Sequence, residues 1–241
     1  EIEDLCYFLR KMGARIEGIG SHYLKIEGID RPHGCDHSVL PDRIEAGTLI
    51  LAGAITGGEI TVSEVIPGHM RALLDTLESA GIPFQSDPEG RRVKVLAQQN
   101  PRSPVEIITL PHPGFPTDLQ AQIMAVMALT PGLSFLTERI YPNRFMHVPE
   151  LLRMGADISM EGPSAVVRGT DRLFGAPVMA SDLRASASLV LAGLAAEGTT
   201  YIRRIYHLDR GYEQLETRLN QLGAVVERVD EESIRDELGE W

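Results

Sequence analysis

Apolar and polar positions along the chain follow two rhythms, and the order of the rhythms repeats. Stretches such as "HMRALLDTLESAG" and "RGYEQLETRLNQLG" place apolar residues three and four apart, the spacing of a helix with one buried face. Such helices end in "LRKMGARI", "LESAGIPF", "LRMGADI" and "NQLGAVV", whose glycines Gly13, Gly81, Gly155 and Gly223 fall 68, 74 and 68 residues apart. Glycine there fits the left-handed position that closes many helices. The β-branched runs "ARIEG", "ADISM" and "AVVERV" that follow read as strands. Three other stretches, "AGTLILAGAIT", "AQIMAVMALT" and "ASASLVLAGLAA", are apolar on nearly every side, and a helix without a polar face has to be buried all round. Each starts just after an acid (Asp42, Asp118, Asp182) and ends in a glycine turn and a further strand: "GGEITVSEV", "GLSFLTERI", "GTTYIRRI".

The repeating unit is therefore strand, buried helix, strand, amphipathic helix and two strands, and three copies span 41–230. The expected architecture is an α/β domain with pseudo-threefold symmetry, its three apolar helices at the centre. Residues 1–40 read as the closing half of an earlier unit, with "HYLKIEG" as its last strand, running into the Pro- and Gly-containing linker "IDRPHGCDHSVLPD". Residues 231–241 read as an acidic tail, expected to be solvated. The chain opens on "EIEDLCYFLRKMG", already in helical rhythm, and reads as part of a longer protein.

Composition narrows the function classes. With 23 basic against 34 acidic residues the net charge is −11, which argues against a nucleic-acid partner, because phosphate backbones are bound by clustered Lys and Arg. A βαβαββ module that binds RNA is further disfavoured by the lack of aromatic residues interleaved with basic ones. Small anionic substrates need only a few well-placed cations. The two cysteines, Cys6 and Cys35, make no disulfide framework and suit a reducing compartment. No apolar run reaches the roughly 18 residues of a membrane span. In "HGCDH", His33, Cys35 and His37 lack the spacing of a zinc finger or knuckle, so no metal is expected.

Five strings, "LPDRIEAGT", "PHPGFPTDLQAQ", "NRFMHVPELLRMGA", "SDLRASASLVLAGLAAEGTT" and "RIYHLDRGYEQLE", together resemble the enolpyruvyl transferase family, and within it the UDP-N-acetylglucosamine 1-carboxyvinyltransferases. The resemblance runs to about residue 230. It implies two domains, each an inside-out α/β barrel of three βαβαββ repeats, with the active site between them. Residues 41–230 would be the second domain and 1–40 the end of the first and the crossover. It also implies the reaction: the enolpyruvyl group of phosphoenolpyruvate passes to the 3-hydroxyl of UDP-N-acetylglucosamine, without a cofactor. That is a cytoplasmic step of peptidoglycan synthesis, on which cell shape and division depend. A related enolpyruvyl transferase acting on a shikimate phosphate is the alternative. The general acid, a cysteine on a loop of the N-terminal domain, and a Lys-Asn pair that binds phosphoenolpyruvate would lie outside this chain, leaving it half a site and inactive alone.

Four positions are candidates for the site. Asp118 either caps its helix, like Asp42 and Asp182, or matches the family's base. Thr117 and Gln120 form a T-x-x-Q pattern that could cap the helix without it, and Ser181 could do the same in the third repeat. Arg184 enters an apolar helix, where a cation needs a partner: a salt bridge to Asp182 or to a neighbouring repeat, or, on the resemblance, phosphoenolpyruvate. Arg210 stands at an expected helix start, where a cation opposes the dipole, and the resemblance makes it a second phosphoenolpyruvate contact. Ile140 reads as a strand-end core residue, and the resemblance makes it a main-chain contact to the UDP-sugar. Asn143 and Arg144 are expected to fix that loop.

Overall fold

The computed structural model of the chain describes residues 1–230; the tail expected over 231–241 lies outside them. Two compact units emerge, Glu1–Asp42 and Arg43–Trp241.

In the first unit, helix α1 (Ile2–Lys11) carries Glu3 and Asp4 in its first turn and Arg10 and Lys11 in its last, both favourable to the helix dipole. Gly13, at φ +103°, turns the chain into β1 (Arg15–Glu17), which pairs antiparallel with β2 (Lys25–Glu27). The "HGCDH" run folds back on the helix: His37 Nε2 lies 3.1 Å from Asp4 Oδ1, and Cys35 Sγ lies 4.0 Å from the Phe8 carbonyl.

The second unit holds the repeats, and the middle one is complete. It runs β6 (Glu106–Ile108), α4 (Gln120–Ala128), β7 (Leu133–Thr137), α5 (Val148–Arg153), β8 (Asp157–Glu161) and β9 (Ser164–Arg168). Its strands form one sheet in the order β6-β7-β9-β8, with only the first pair parallel, as a helix crossover from β6 to β7 requires. The first repeat has α2 (Arg43–Thr56), β3 (Ile60–Ser63), α3 (Arg71–Ser79), β4 (Phe84–Asp87) and β5 (Arg92–Val95), in a three-stranded sheet β3-β5-β4. The third has β10 (Pro177–Met179), α6 (Leu183–Ala195), β11 (Tyr201–Arg203) and α7 (Leu215–Gln221). Gly81, Gly155 and Gly223 all take positive φ just past an amphipathic helix, as their spacing predicted.

Among the described residues the opening strand expected of the first repeat does not form, nor do the closing strands of the third. The "AVVERV" run is irregular, and side chains satisfy it instead: the Asn220 amide donates to the Val226 carbonyl at 2.7 Å and accepts from its N–H at 2.9 Å. A β-branched run is a strand only when a neighbouring edge completes its ladder, and no such pairing forms among the described residues.

The three apolar helices form the centre, packed on one another, but they are not equally covered. All nine residues of α4 are buried, whereas α2 buries nine of 14 and α6 seven of 13. The last turns of α2 and α6, with Leu219, Leu222 and the irregular 224–229 run, line a groove of about 970 Å³. At the heart of the bundle Tyr212 Oη lies 2.8 Å from Thr48 Oγ1 on α2, and the Gln122 amide of α4 donates to Thr48 at 3.2 Å.

Candidate active site

Charged side chains converge where α4 and α6 begin, away from the groove. Asp118 sits in a 3-10 turn (Thr117–Leu119) that leads into α4, and neither that turn nor α4 receives a side-chain cap. The expected T-x-x-Q cap is absent. Thr117 Oγ1 instead donates to Glu138 Oε2 at 2.8 Å, and both polar atoms of the Gln120 side chain are buried without a partner. The 3-10 turn displaces Thr117 from the N-cap position, so its hydroxyl is free to reach the sheet. In the third repeat the cap is Asp182 and not Ser181: Oδ1 accepts from the Arg184 and Ala185 N–H groups at 2.7 and 3.1 Å.

Asp118 meets two cations instead. Its Oδ1 accepts from Arg184 Nε at 2.7 Å and from Arg144 Nη1 at 2.9 Å. The salt bridge to Arg184 crosses from the second repeat to the third, which is the neighbouring-repeat partner that an Arg in an apolar helix calls for. Asp118 Oδ2 accepts no hydrogen bond among the described residues. The terminal nitrogens of Arg184 likewise donate to no described residue.

Arg144 is the least exposed of the three, at 15%, and lies 4.6 Å from the Tyr141 ring centre, a cation–π contact that holds its fork in place. Its Nη1 also donates to Thr117 Oγ1 at 2.8 Å. Arg144 thus binds the loop to the carboxylate, while Asn143 is exposed beside it.

Ile140 is not a core residue: it is 37% exposed. Its N–H donates to Glu138 Oε1 at 2.8 Å, so within its main chain the carbonyl is the group left for a ligand.

Arg210 ends a 3-10 helix (Ile205–Arg210), and α7 begins only at Leu215. The expectation of a cation misplaced at a helix start is therefore corrected: at a C-terminal end the charge is favourable. Its exposed side chain has no hydrogen bond or ion pair among the described residues, since the neighbouring Asp209 is held bidentately by Arg228. That guanidinium lowers the Asp209 carboxyl below its ordinary range. A Cβ on Gly211 would lie 2.9 Å from Leu183 Cδ2, so Arg184 and Arg210 each flank the same contact.

Glu138 escaped the sequence reading. It is 1% exposed and accepts four bonds: from Thr109 Oγ1 (2.6 Å), Thr117 Oγ1 (2.8 Å) and the N–H groups of Ile140 (2.8 Å) and Tyr141 (2.9 Å). The signal was alternation. In "LSFLTE", Ser134 and Leu136 point inward, so Glu138 falls on the buried parity, where an acid needs partners. Nearby, His147 is buried against Met124, its Nε2 3.2 Å from the sulfur. Burial lowers its pKa from the usual 6.5 to about 4, with the Asp182 charge opposing in part.

This arrangement can hold a carboxylate with one oxygen open and present guanidinium groups to an anion. The family model of EPSP synthase (3-phosphoshikimate 1-carboxyvinyltransferase) matches residues 1–219. The UDP-N-acetylglucosamine 1-carboxyvinyltransferase of Myxococcus xanthus is 55% identical over 228 residues, covering 95% of this chain and 54% of that protein. Its namesake from Azorhizobium caulinodans is 55% identical over 231 residues, covering 95% and 53%. The chain therefore spans about half the length of the curated relatives it matches. Among solved structures, the enolpyruvyl transferase NikO from Streptomyces tendae superposes with a TM-score of 0.81 at 28% identity, over 93% of this chain and 53% of that one. EPSP synthase from Acinetobacter baumannii, at TM-score 0.68 and 17% identity over 93% of this chain and 54% of that one, shares the fold.

Proposed function

The chain belongs to the EPSP synthase family of enolpyruvyl transferases, and from that premise we propose that it carries one half of the active site of a UDP-N-acetylglucosamine 1-carboxyvinyltransferase. Residues 41–230 are its second domain, and 1–40 the end of the first domain and the crossover. The observation that carries the reading is the state of Asp118: one oxygen is pinned by two guanidiniums and the other is open.

In this reading Asp118 Oδ2 takes the proton of the sugar 3-hydroxyl as its oxygen bonds to C2 of phosphoenolpyruvate. C3 gains a proton from an acid supplied by the rest of the whole protein. Loss of a C3 proton and departure of phosphate from C2 then give the enolpyruvyl ether. The terminal nitrogens of Arg184, together with Arg210, hold the carboxylate and phosphate of phosphoenolpyruvate, chemistry that suits a planar fork. The Ile140 carbonyl lines the UDP-sugar. The reaction takes place in the cytoplasm and feeds peptidoglycan synthesis.

The test is phosphate release by the full-length protein that contains this chain, with phosphoenolpyruvate and either UDP-N-acetylglucosamine or shikimate 3-phosphate. Turnover is expected with the first acceptor only, and none from the chain alone. Turnover with the shikimate ester, or steady release by the chain alone, overturns the reading.

A further inference from the structure

We propose that Glu138 is a positioning residue that sets the sugar-facing main chain and the base Asp118 in register, one function for each of its oxygens. The inference rests on the functional reading above, because it takes Asp118 and Ile140 as parts of the site.

Three segments meet at this carboxylate. Oε1 holds the end of β6 through Thr109 and the loop after β7 through the N–H groups of Ile140 and Tyr141. Oε2 holds the entrance to α4 through Thr117. Thr117 in turn accepts from Arg144, whose same nitrogen donates to Asp118. A continuous chain of hydrogen bonds thus runs from Glu138 to the base, with Glu138 itself out of reach of solvent. A buried carboxylate with both oxygens hydrogen-bonded fixes geometry, because any rearrangement at Glu138 leaves a buried group unpaired.

The two oxygens predict separate effects. In Glu138→Gln the amide oxygen can replace Oε1, but an NH₂ then faces Thr117 Oγ1, which already accepts from Arg144. The Thr117 proton loses its acceptor and the path to Asp118 is disturbed. In Thr109→Val, Oε1 loses a donor and the Arg139 N–H loses the acceptor it now has at 2.9 Å, which disturbs the loop that carries Ile140.

The experiment is steady-state kinetics of the full-length protein, with Asp118→Asn alongside. Glu138→Gln is expected to lower kcat about tenfold while KM for UDP-N-acetylglucosamine moves less than about threefold, a loss confined to the transition state. Thr109→Val is expected to do the reverse. A purely structural Glu138 would lower the melting temperature and leave both constants alone, and that result overturns the proposal. So does an identical kcat and KM pattern in the two variants. If Glu138→Gln does not fold, the Thr109→Val split alone decides. If Asp118→Asn keeps full turnover, the functional reading has failed; if it is inactive while Glu138→Gln behaves as wild type, only the positioning role has.

Discussion

Asp118 and Asp182 stand at the same point of successive repeats, and the chain uses them in opposite ways. Asp182 turns toward its own helix and caps α6 with one oxygen. Asp118 caps nothing; it faces two guanidiniums, one of them from α6 itself. The same residue type at the same repeat position is structural in one case and available for chemistry in the other. The deciding element is the 3-10 turn ahead of α4, which carries Asp118 past the capping position. Repetition in sequence fixes where an acid sits along the chain, not which way its oxygens point.

The most severe way to test this contrast is Asp118→Asn in the full-length protein. Turnover should fall by about two decades or more, the range for removing a general base, while the melting temperature moves only a few degrees. Equal losses in both would return Asp118 to the structural class of Asp182.

The next test uses His147, which packs under α4 and senses the charge of Asp182. Its folded pKa is depressed from 6.5 to about 4, so the unfolded chain binds the extra proton first. The stability it contributes is complete above pH 6.5 and is lost as pH falls toward 4. The difference in unfolding free energy between wild type and His147→Gln should therefore shrink by about 3 kcal/mol across that window, since each tenfold difference in proton affinity between the folded and unfolded chain is worth about 1.4 kcal/mol. A pH-independent difference, measured by urea denaturation, would show that His147 is not held neutral.

The mildest prediction concerns the cap. Asp182→Ala should cost about 1 kcal/mol, the usual loss of an N-cap, and Asp182→Asn should restore most of it because Asn caps as well. Failure of Asn to rescue stability would mean that the Asp182 charge, and not its hydrogen bonds, is what α6 needs.

Much of the fold was legible because it depends on periodicity. Apolar residues all round α2, α4 and α6 place them in the centre, and glycines at a constant offset mark the helix ends. The roles proposed for Asp118 and Arg184 came only through resemblance, since the two side chains meet across 66 residues of sequence. Two local readings failed for the same reason. The T-x-x-Q pattern reads as a cap unless Glu138 is known to be waiting 21 residues on, and "AVVERV" reads as a strand unless it is known that no edge among the described residues pairs with it. Arg210 reads as misplaced only if the helix after it is assumed to start at once. Glu138 could have been found from strand parity alone, because an acid that continues the buried parity just past β7 has to be answered by donors from elsewhere.

The asymmetry of Asp118 bears on a problem of selection. The ring hydroxyls of a hexose differ little in acidity, so reactivity by itself would not choose among them. A carboxylate held at one oxygen by two forks has its plane fixed and offers its other oxygen along a single direction. On the function proposed above, regiochemistry becomes a matter of aim: the hydroxyl to be functionalised is the one that a sugar seated at the Ile140 carbonyl would bring onto that line.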